Sequence, residues 1–233
     1  MGHVPDAADH HERLHKFAHD IRNRLAGIQE VLRSLPLTTD PAESRMLAEF
    51  GEKQFFKAMG EVETLLDDMG VVRGVPALSL GPVDLAAVAR TAVTAMAHRT
   101  DRKQQQVLLD LAEGTVVHGD ERLLGELATA LLSNASKFSP AGAPIHITVD
   151  GHAGQGRLIV RDHGVGLSPA DLERVFVRYA WLGSRTTDGE AQGRSTLARL
   201  KQWAIAHGGD LRADSPGEGQ GCTLTLCVPL LQA

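Results

Sequence analysis

Residues 17–28 read Phe-Ala-His-Asp-Ile-Arg-Asn-Arg-Leu-Ala-Gly-Ile, and their apolar and polar positions separate onto two faces of a helix. Leu14, Ala18, Ile21, Leu25, Ile28, Leu32 and Leu35 recur in alternating steps of four and three, the spacing of a heptad seam. Counted from that seam, His19 and Asn23 fall one turn apart on the solvent side, with Asp20 beside the histidine. An imidazole held out from a rigid helix serves as nucleophile, base or metal ligand. A solvated histidine on an ordinary amphipathic helix has the same local sequence, so the rest of the chain has to decide.

Around this stretch the chain predicts two long helices. Asp6 caps the first, Asp9 lies in its first turn, and Ser34-Leu35-Pro36 stops it after about eight turns. Asp40-Pro41-Ala42-Glu43 starts the second with a cap, a first-turn proline and a glutamate three residues on. Leu47, Phe50, Phe55, Met59, Val62, Leu65 or Leu66, and Met69 give it an apolar face ending near Gly70. Two such helices with a short link form an antiparallel hairpin. It has no core beyond one seam, so pairing with a second copy into a four-helix bundle is expected, and the chain is read as a homodimer.

Residues 73–83, RGVPALSLGPV, are rich in Gly and Pro without periodicity and read as a linker. The expected organisation is a hairpin domain at 1–72, the linker at 73–83 and a second domain at 84–233. In the second domain Asp84 caps a helix to about His98, and strands are expected at 107–111 and 115–118. A helix follows to about Phe138. Strands at 145–149 and 157–160 flank the turn GHAGQG, helices lie near 169–178 and 194–207, and strands lie near 210–214 and 222–228. This order is that of an α+β protein: an α/β sandwich in which helices cover one face of a mixed sheet.

A net charge of −5 argues against a dedicated nucleic-acid binder. No apolar run is long enough to cross a bilayer and the polar start lacks a signal-peptide core, so no membrane insertion and a cytoplasmic location are expected. Cys222 and Cys227 lie in one strand on opposite faces and read as reduced packing residues. His3, His10, His11, His15 and His19 crowd the start, but no cysteine or Glu-x-x-His pattern completes a metal site there.

On the helix that ends at Phe138, Leu123, Leu124, Leu127, Leu131 and Leu132 account for a buried side. Glu126, Ala130, Asn134 and Lys137 fall along another. An asparagine amide oxygen there suits Mg²⁺ and a lysine one turn on suits a phosphate, while a plain polar helix face has the same pattern. Asp162-His163-Gly164-Val165-Gly166 follows the apolar strand 158–160. A carboxylate at a strand end accepts from an exocyclic amine, and the glycines let backbone approach a purine ring.

With these motifs in order, the chain resembles the catalytic core of two-component histidine kinases from about His11 to Leu230. HDIRNRL resembles the phospho-accepting H box, LLSNASKFSP the N box, DHGVGL the first glycine box and ERVFVRYAW the F box. The tail AHGGDLRADSPGEGQGCTLTLCVPL resembles the close of the ATP-binding domain. The resemblance implies ATP and Mg²⁺ as cofactors, His19 as phospho-acceptor, Asp20 as its base and Asn23 as the residue that positions water or an acceptor aspartate. It places Mg²⁺ on Asn134, a phosphate on Lys137 and the adenine amine on Asp162, with Gly164 and Gly166 shaping the pocket. It also implies a response-regulator receiver domain as partner and an upstream sensor.

The second glycine box departs from the family pattern. Where three glycines are usual, Gln192-Gly193-Arg194-Ser195-Thr196-Leu197 keeps one, so that Gly193 and the side chains of Arg194, Ser195 and Thr196 take over the phosphate contacts or block the site. Ala130 replaces the first N-box asparagine, and Arg24 replaces a proline, which suggests a straighter first helix. Three readings are compatible with these changes: autophosphorylation of His19 from ATP with transfer to a receiver aspartate, ATP-independent phosphotransfer with the second domain as a pseudokinase scaffold, or a nucleotide-binding regulator that acts by partner binding and not by transfer.

Overall fold

A computed structural model describes residues 7–68, 77–178, 180, 182 and 196–231, and they fall into two compact units. The first is the helical hairpin, α1 (Ala7–Ser34) and α2 (Pro41–Asp68), joined through a 3-10 turn at Leu35–Leu37. Its turn is closed by side chains the sequence supplies. Thr38 Oγ1 donates to Ser34 O at 3.0 Å, and Asp40 Oδ1 accepts from Ala42 N at 2.9 Å as the N-cap of α2.

The single heptad seam expected for this hairpin divides in two. Residues of mixed size make the contact between the helices: Val31, Phe56 and Ala58 are buried, a Cβ on Gly51 would lie 3.0 Å from Val31 Cγ1, Gly27 packs beside Gln54 and Phe50, and Arg24 reaches Glu61. Leu14, Leu25 and Leu32 of α1 and Met46, Phe50 and Phe55 of α2 stay exposed. Gly51 leaves room for Val31 at the crossing, while Leu14, Leu25 and Leu32 of the expected seam face outward.

The second unit contains β1 (Gly81–Asp84), α3 (Leu85–Arg102), β2 (Val107–Leu111), β3 (Val116–Gly119), α4 (Glu121–Phe138), β4 (Ile145–His152) and β5 (Gln155–Arg161). It continues through α5 (Pro169–Arg174), α6 (Thr196–Ala206), β6 (Asp210–Asp214) and β7 (Thr223–Pro229). Five strands form one sheet in the order β2-β4-β5-β7-β6, parallel only between β2 and β4. The sheet is therefore mixed, as expected, and helices cover it. Ile145, Ile147 and Val149, Leu158 and Val160, and Leu224, Leu226 and Val228 alternate onto the buried face. There they meet Leu85, Val88 and Met96 of α3, Leu123, Leu127 and Leu131 of α4, and Leu200 and Trp203 of α6. On the other face Arg157 pairs with the facing Asp150 through two bonds of 2.7 and 2.6 Å, which holds the Asp150 carboxyl below its ordinary range.

Three local differences from the sequence reading have physical causes. Residues 81–83 end the stretch read as linker, yet they pair with β3 as strand; Pro82 is tolerated because this two-stranded ribbon lets it omit a ladder donor. The six-residue turn GHAGQG shrinks to Ala153-Gly154, with φ of 51° and 77°. Two positive φ values match the strand twist in a two-residue hairpin loop. Gly156 is a glycine for another reason: a Cβ there would lie 2.6 Å from Val117 Cγ1. Finally, α5 stops at Arg174 rather than near 178, and 175–178 continue as a turn.

The carboxyl end of α4 is held by a buried cation. Lys103 Nζ donates to Ser136 O at 2.8 Å and to Ser139 O at 3.0 Å, while Gln105 Nε2 donates to the same two carbonyls at 3.2 Å. A positive charge on the last carbonyls opposes the negative end of the helix dipole. Replacing Lys103 with methionine keeps the stem but strips both bonds from buried carbonyls. Denaturant unfolding is expected to show a loss of about 2–4 kcal/mol, and an unchanged midpoint would mean that Gln105 suffices.

Candidate functional site

The site in the second unit grows from α4. Its leucine stripe is buried against the sheet, which turns Ala130, Ser133, Asn134, Lys137 and Phe138 toward a pocket on the helix's other side. The start of α6 adds Thr196 and Leu197, and the ends of β5 and β7 bring in Asp162, Cys222 and Leu224. The loop after β5 closes the lining with Val165, Gly166 and Leu167.

Asp162 is 4% exposed. Its Oδ1 accepts from Gly164 N at 2.8 Å and Cys222 N at 3.2 Å, and among the described residues no group bonds to Oδ2. Burial pushes this carboxyl above its ordinary range, against the pull of those two amides. One oxygen is thus fixed by backbone while the other remains to accept from a ligand. The Asn134 amide is likewise without a protein hydrogen bond among the described residues. Lys137 has its pKa lowered by burial and by Arg99. Cys222 is pushed up to about 12 by burial and by Asp162, so it is a neutral thiol in the wall.

The glycines are required by close approach. A Cβ on Gly164 would lie 2.3 Å from Phe138 O, and one on Gly166, at φ +63°, 2.0 Å from Gly217 O. Val165 N donates to Phe138 O, which ties the loop to the end of α4. The turn 217–221 clamps it from the other side, through Gly219 N to Val165 O at 2.7 Å and Gly221 N to Gly164 O at 3.1 Å. Ser215 Oγ accepts from Leu167 N at 3.0 Å. In the sequence GEGQG reads only as a hairpin turn; its density of glycine is the one signal that another loop packs against it.

On the hairpin, His19 is 64% exposed by side chain, and its Nδ1 lies 3.1 Å from Asp20 Oδ1. Asn23 Nδ2 is 3.3 Å from Nδ1 and 3.4 Å from Nε2. The amide therefore lies about equally close to both ring nitrogens. With Nδ1–H donated to Asp20, Nε2 is the ring nitrogen that keeps its lone pair, beside the Asn23 amide. Arg24, read as a straightener of the helix, does more: its guanidinium crosses to α2 and bonds Glu61 and Gln54.

Three comparisons bear on this geometry. Residues 119–232 match the family described as histidine kinase-, DNA gyrase B- and HSP90-like ATPase. The sensor-like histidine kinase SenX3 of Mycobacterium tuberculosis is 28% identical over 221 residues, covering 92% of this chain and 52% of that protein. The structure of the mycobacterial sensor histidine kinase MprB aligns with a TM-score of 0.59 at 25% identity, over 66% of this chain and all of that one. This is a GHKL-type histidine-kinase catalytic core.

The histidine-kinase core spans about half the length of SenX3. Its fold is also that of the histidine kinase ThkA, solved in complex with the response regulator protein TrrA, with a TM-score of 0.58 at 16% identity over 94% of this chain and 61% of that one. Within the core, Asn134, Lys137, Asp162, Gly166 and Thr196 line one pocket, and Gly164 shapes the loop beside it. Gly193, Arg194 and Ser195 lie outside the described residues, as do His3 and the cap Asp6. No group of three His, Cys, Asp or Glu side chains that could hold a metal occurs among the described residues, and no described helix is long and apolar enough to cross a membrane.

Proposed function

We propose that this core is a protein-histidine kinase of a two-component system, which phosphorylates its own His19 from ATP and hands the phosphoryl group to a receiver-domain aspartate. The observation that carries the reading is the state of His19: an exposed imidazole on a rigid helix, with Nδ1 on the Asp20 carboxylate and the Asn23 amide beside the ring. It occurs in a chain that also carries a domain of the ATPase family. Bound ATP would supply the phosphoryl group and Mg²⁺ the charge neutralisation that in-line transfer needs.

The chain's own residues have definable tasks. Asp20 holds the Nδ1 proton and stabilises positive charge on the ring as Nε2 attacks. Asn23, one turn on and beside the ring, is the group that orients water or a receiver aspartate. Asp162 accepts the adenine amine through Oδ2, Asn134 offers its amide oxygen to Mg²⁺, and Lys137, with Gly193, Arg194, Ser195 and Thr196, takes the phosphates. The two chemical ends of the pocket fit such a ligand: a buried acceptor with one free oxygen at one end, an unpaired amide and a lysine at the other.

A homodimer belongs to this reading. Leu14, Leu25, Leu32, Met46, Phe50 and Phe55 leave apolar surface exposed on the hairpin, and pairing with a second hairpin as a four-helix bundle would bury part of it. The receiver domain is supported by the ThkA complex with a response regulator, and an upstream sensor by the sensor kinases among the relatives. The test is incubation with γ-labelled ATP and Mg²⁺. Acid-labile, base-stable label on the protein is expected. Absence of both label and calorimetric nucleotide binding would replace the kinase with an ATP-independent phosphotransferase.

A further inference from the structure

Arg24 has two acids within reach and uses one of them. Asp20 lies four residues earlier on α1, acid before base, the orientation in which helical ion pairs form. Glu61 lies across the hairpin on α2. The guanidinium is turned to α2: Nε donates to Glu61 Oε1 at 2.6 Å, Nη2 donates to the same oxygen, and Nη1 donates to Gln54 Oε1 at 3.3 Å. Among the described residues no bond joins Arg24 to Asp20, whose carboxylate goes to His19 instead.

We propose that Glu61 is a positioning residue for the His19 site, acting by holding Arg24 on α2 and so leaving Asp20 to the Nδ1 side of the imidazole. The inference rests on the reading of His19 as phospho-acceptor. An arginine released from Glu61 returns to the acid one turn above it, and Asp20 then divides between guanidinium and imidazole. Nε2 becomes the weaker nucleophile. The pair is built to be releasable: both donors converge on Oε1 and the buried Glu61 Oε2 has no hydrogen bond among the described residues, whereas a two-oxygen fork would grip both sides. A shift of α2 against α1 therefore reaches the histidine through one side chain.

The test uses the full chain as Glu61→Gln, Arg24→Gln and the double variant, with two readouts. One is the initial rate of His19 labelling from ATP and Mg²⁺. The other is the imidazole ¹⁵N shifts of His19 without nucleotide, which report its tautomer. Glu61→Gln is expected to slow labelling about two- to threefold with KM for ATP unchanged, and to move His19 away from the Nδ1–H form. Adding Arg24→Gln restores both, because the competitor for Asp20 is gone. A mere brace would make the two single variants equally slow and the double no faster than Glu61→Gln, and that result overturns the proposal. So do unchanged His19 shifts in Glu61→Gln. An unlabelled wild-type protein whose shifts still follow the expected pattern would instead overturn the kinase reading and uphold the coupling.

Discussion

Exchange of His19 for glutamine is expected to remove all acid-labile label while leaving the fold and the association of the hairpin unchanged. The side chain is largely exposed and its partners Asp20 and Asn23 are its own helix neighbours, so no packing is lost. Glutamine is also a good helix former, and the change in stability should stay within about 0.5 kcal/mol. An amide nitrogen has no free lone pair with which to attack phosphorus, its electrons being delocalised into the carbonyl, so the loss of acceptance is total. Phosphoamino-acid and peptide mapping of the wild type and the variant decide the matter. Label that survives the exchange would move the acceptor to another of the eleven histidines.

The second large effect is at Asp162. Asparagine keeps the volume and the oxygen that accepts from Gly164 and Cys222, but it turns the other oxygen into a donor. An exocyclic amine would then meet N–H in place of a carboxylate, at a buried side chain. Nucleotide affinity should fall roughly 10- to 100-fold with little change in melting temperature. The pH dependence has a defined sign. Because burial raises this carboxyl above its ordinary range, the charged acceptor is present above that raised value and lost as pH falls through it, so wild-type affinity should weaken in mild acid sooner than an ordinary carboxylate would allow. Calorimetry on both proteins across that range tests both points. An unaltered affinity in Asp162→Asn would mean that the pocket does not read an amine.

Much of the fold and the pocket is legible in the amino-acid order because period and punctuation agree locally. The leucine stripe of α4 and the polar stripe beside it come from one 3.6-residue repeat, which is why residue spacing alone assigns Asn134 and Lys137 to a common face. Caps at Asp40, Asp84 and Asp120 mark helix starts by chemistry that acts within three residues. What escapes depends on distant partners. Nothing near Ser215 or Gly217 says that this turn clamps the Gly164–Leu167 loop, and nothing near Arg24 says that Glu61 awaits it 37 residues later. The heptad seam is visible whole, but its division into a contact at Val31 and Gly51 and outward-facing leucines depends on how the two helices meet, which periodicity does not encode.

The place of β7 in the sheet has a consequence for biosynthesis. This strand, residues 223–229, lies between β5 and β6 and pairs with both, so the sheet has a gap until it arrives. A nascent chain that has emerged only to Asp214 holds β5 with an unpaired edge and apolar residues such as Leu158 and Val160 without their partners Leu226 and Leu224. The hairpin, by contrast, closes on neighbours it already has. On the ribosome the N-terminal helices can therefore pair early, while the second unit waits, with an open strand edge of the kind chaperones shield, for the strand that completes it.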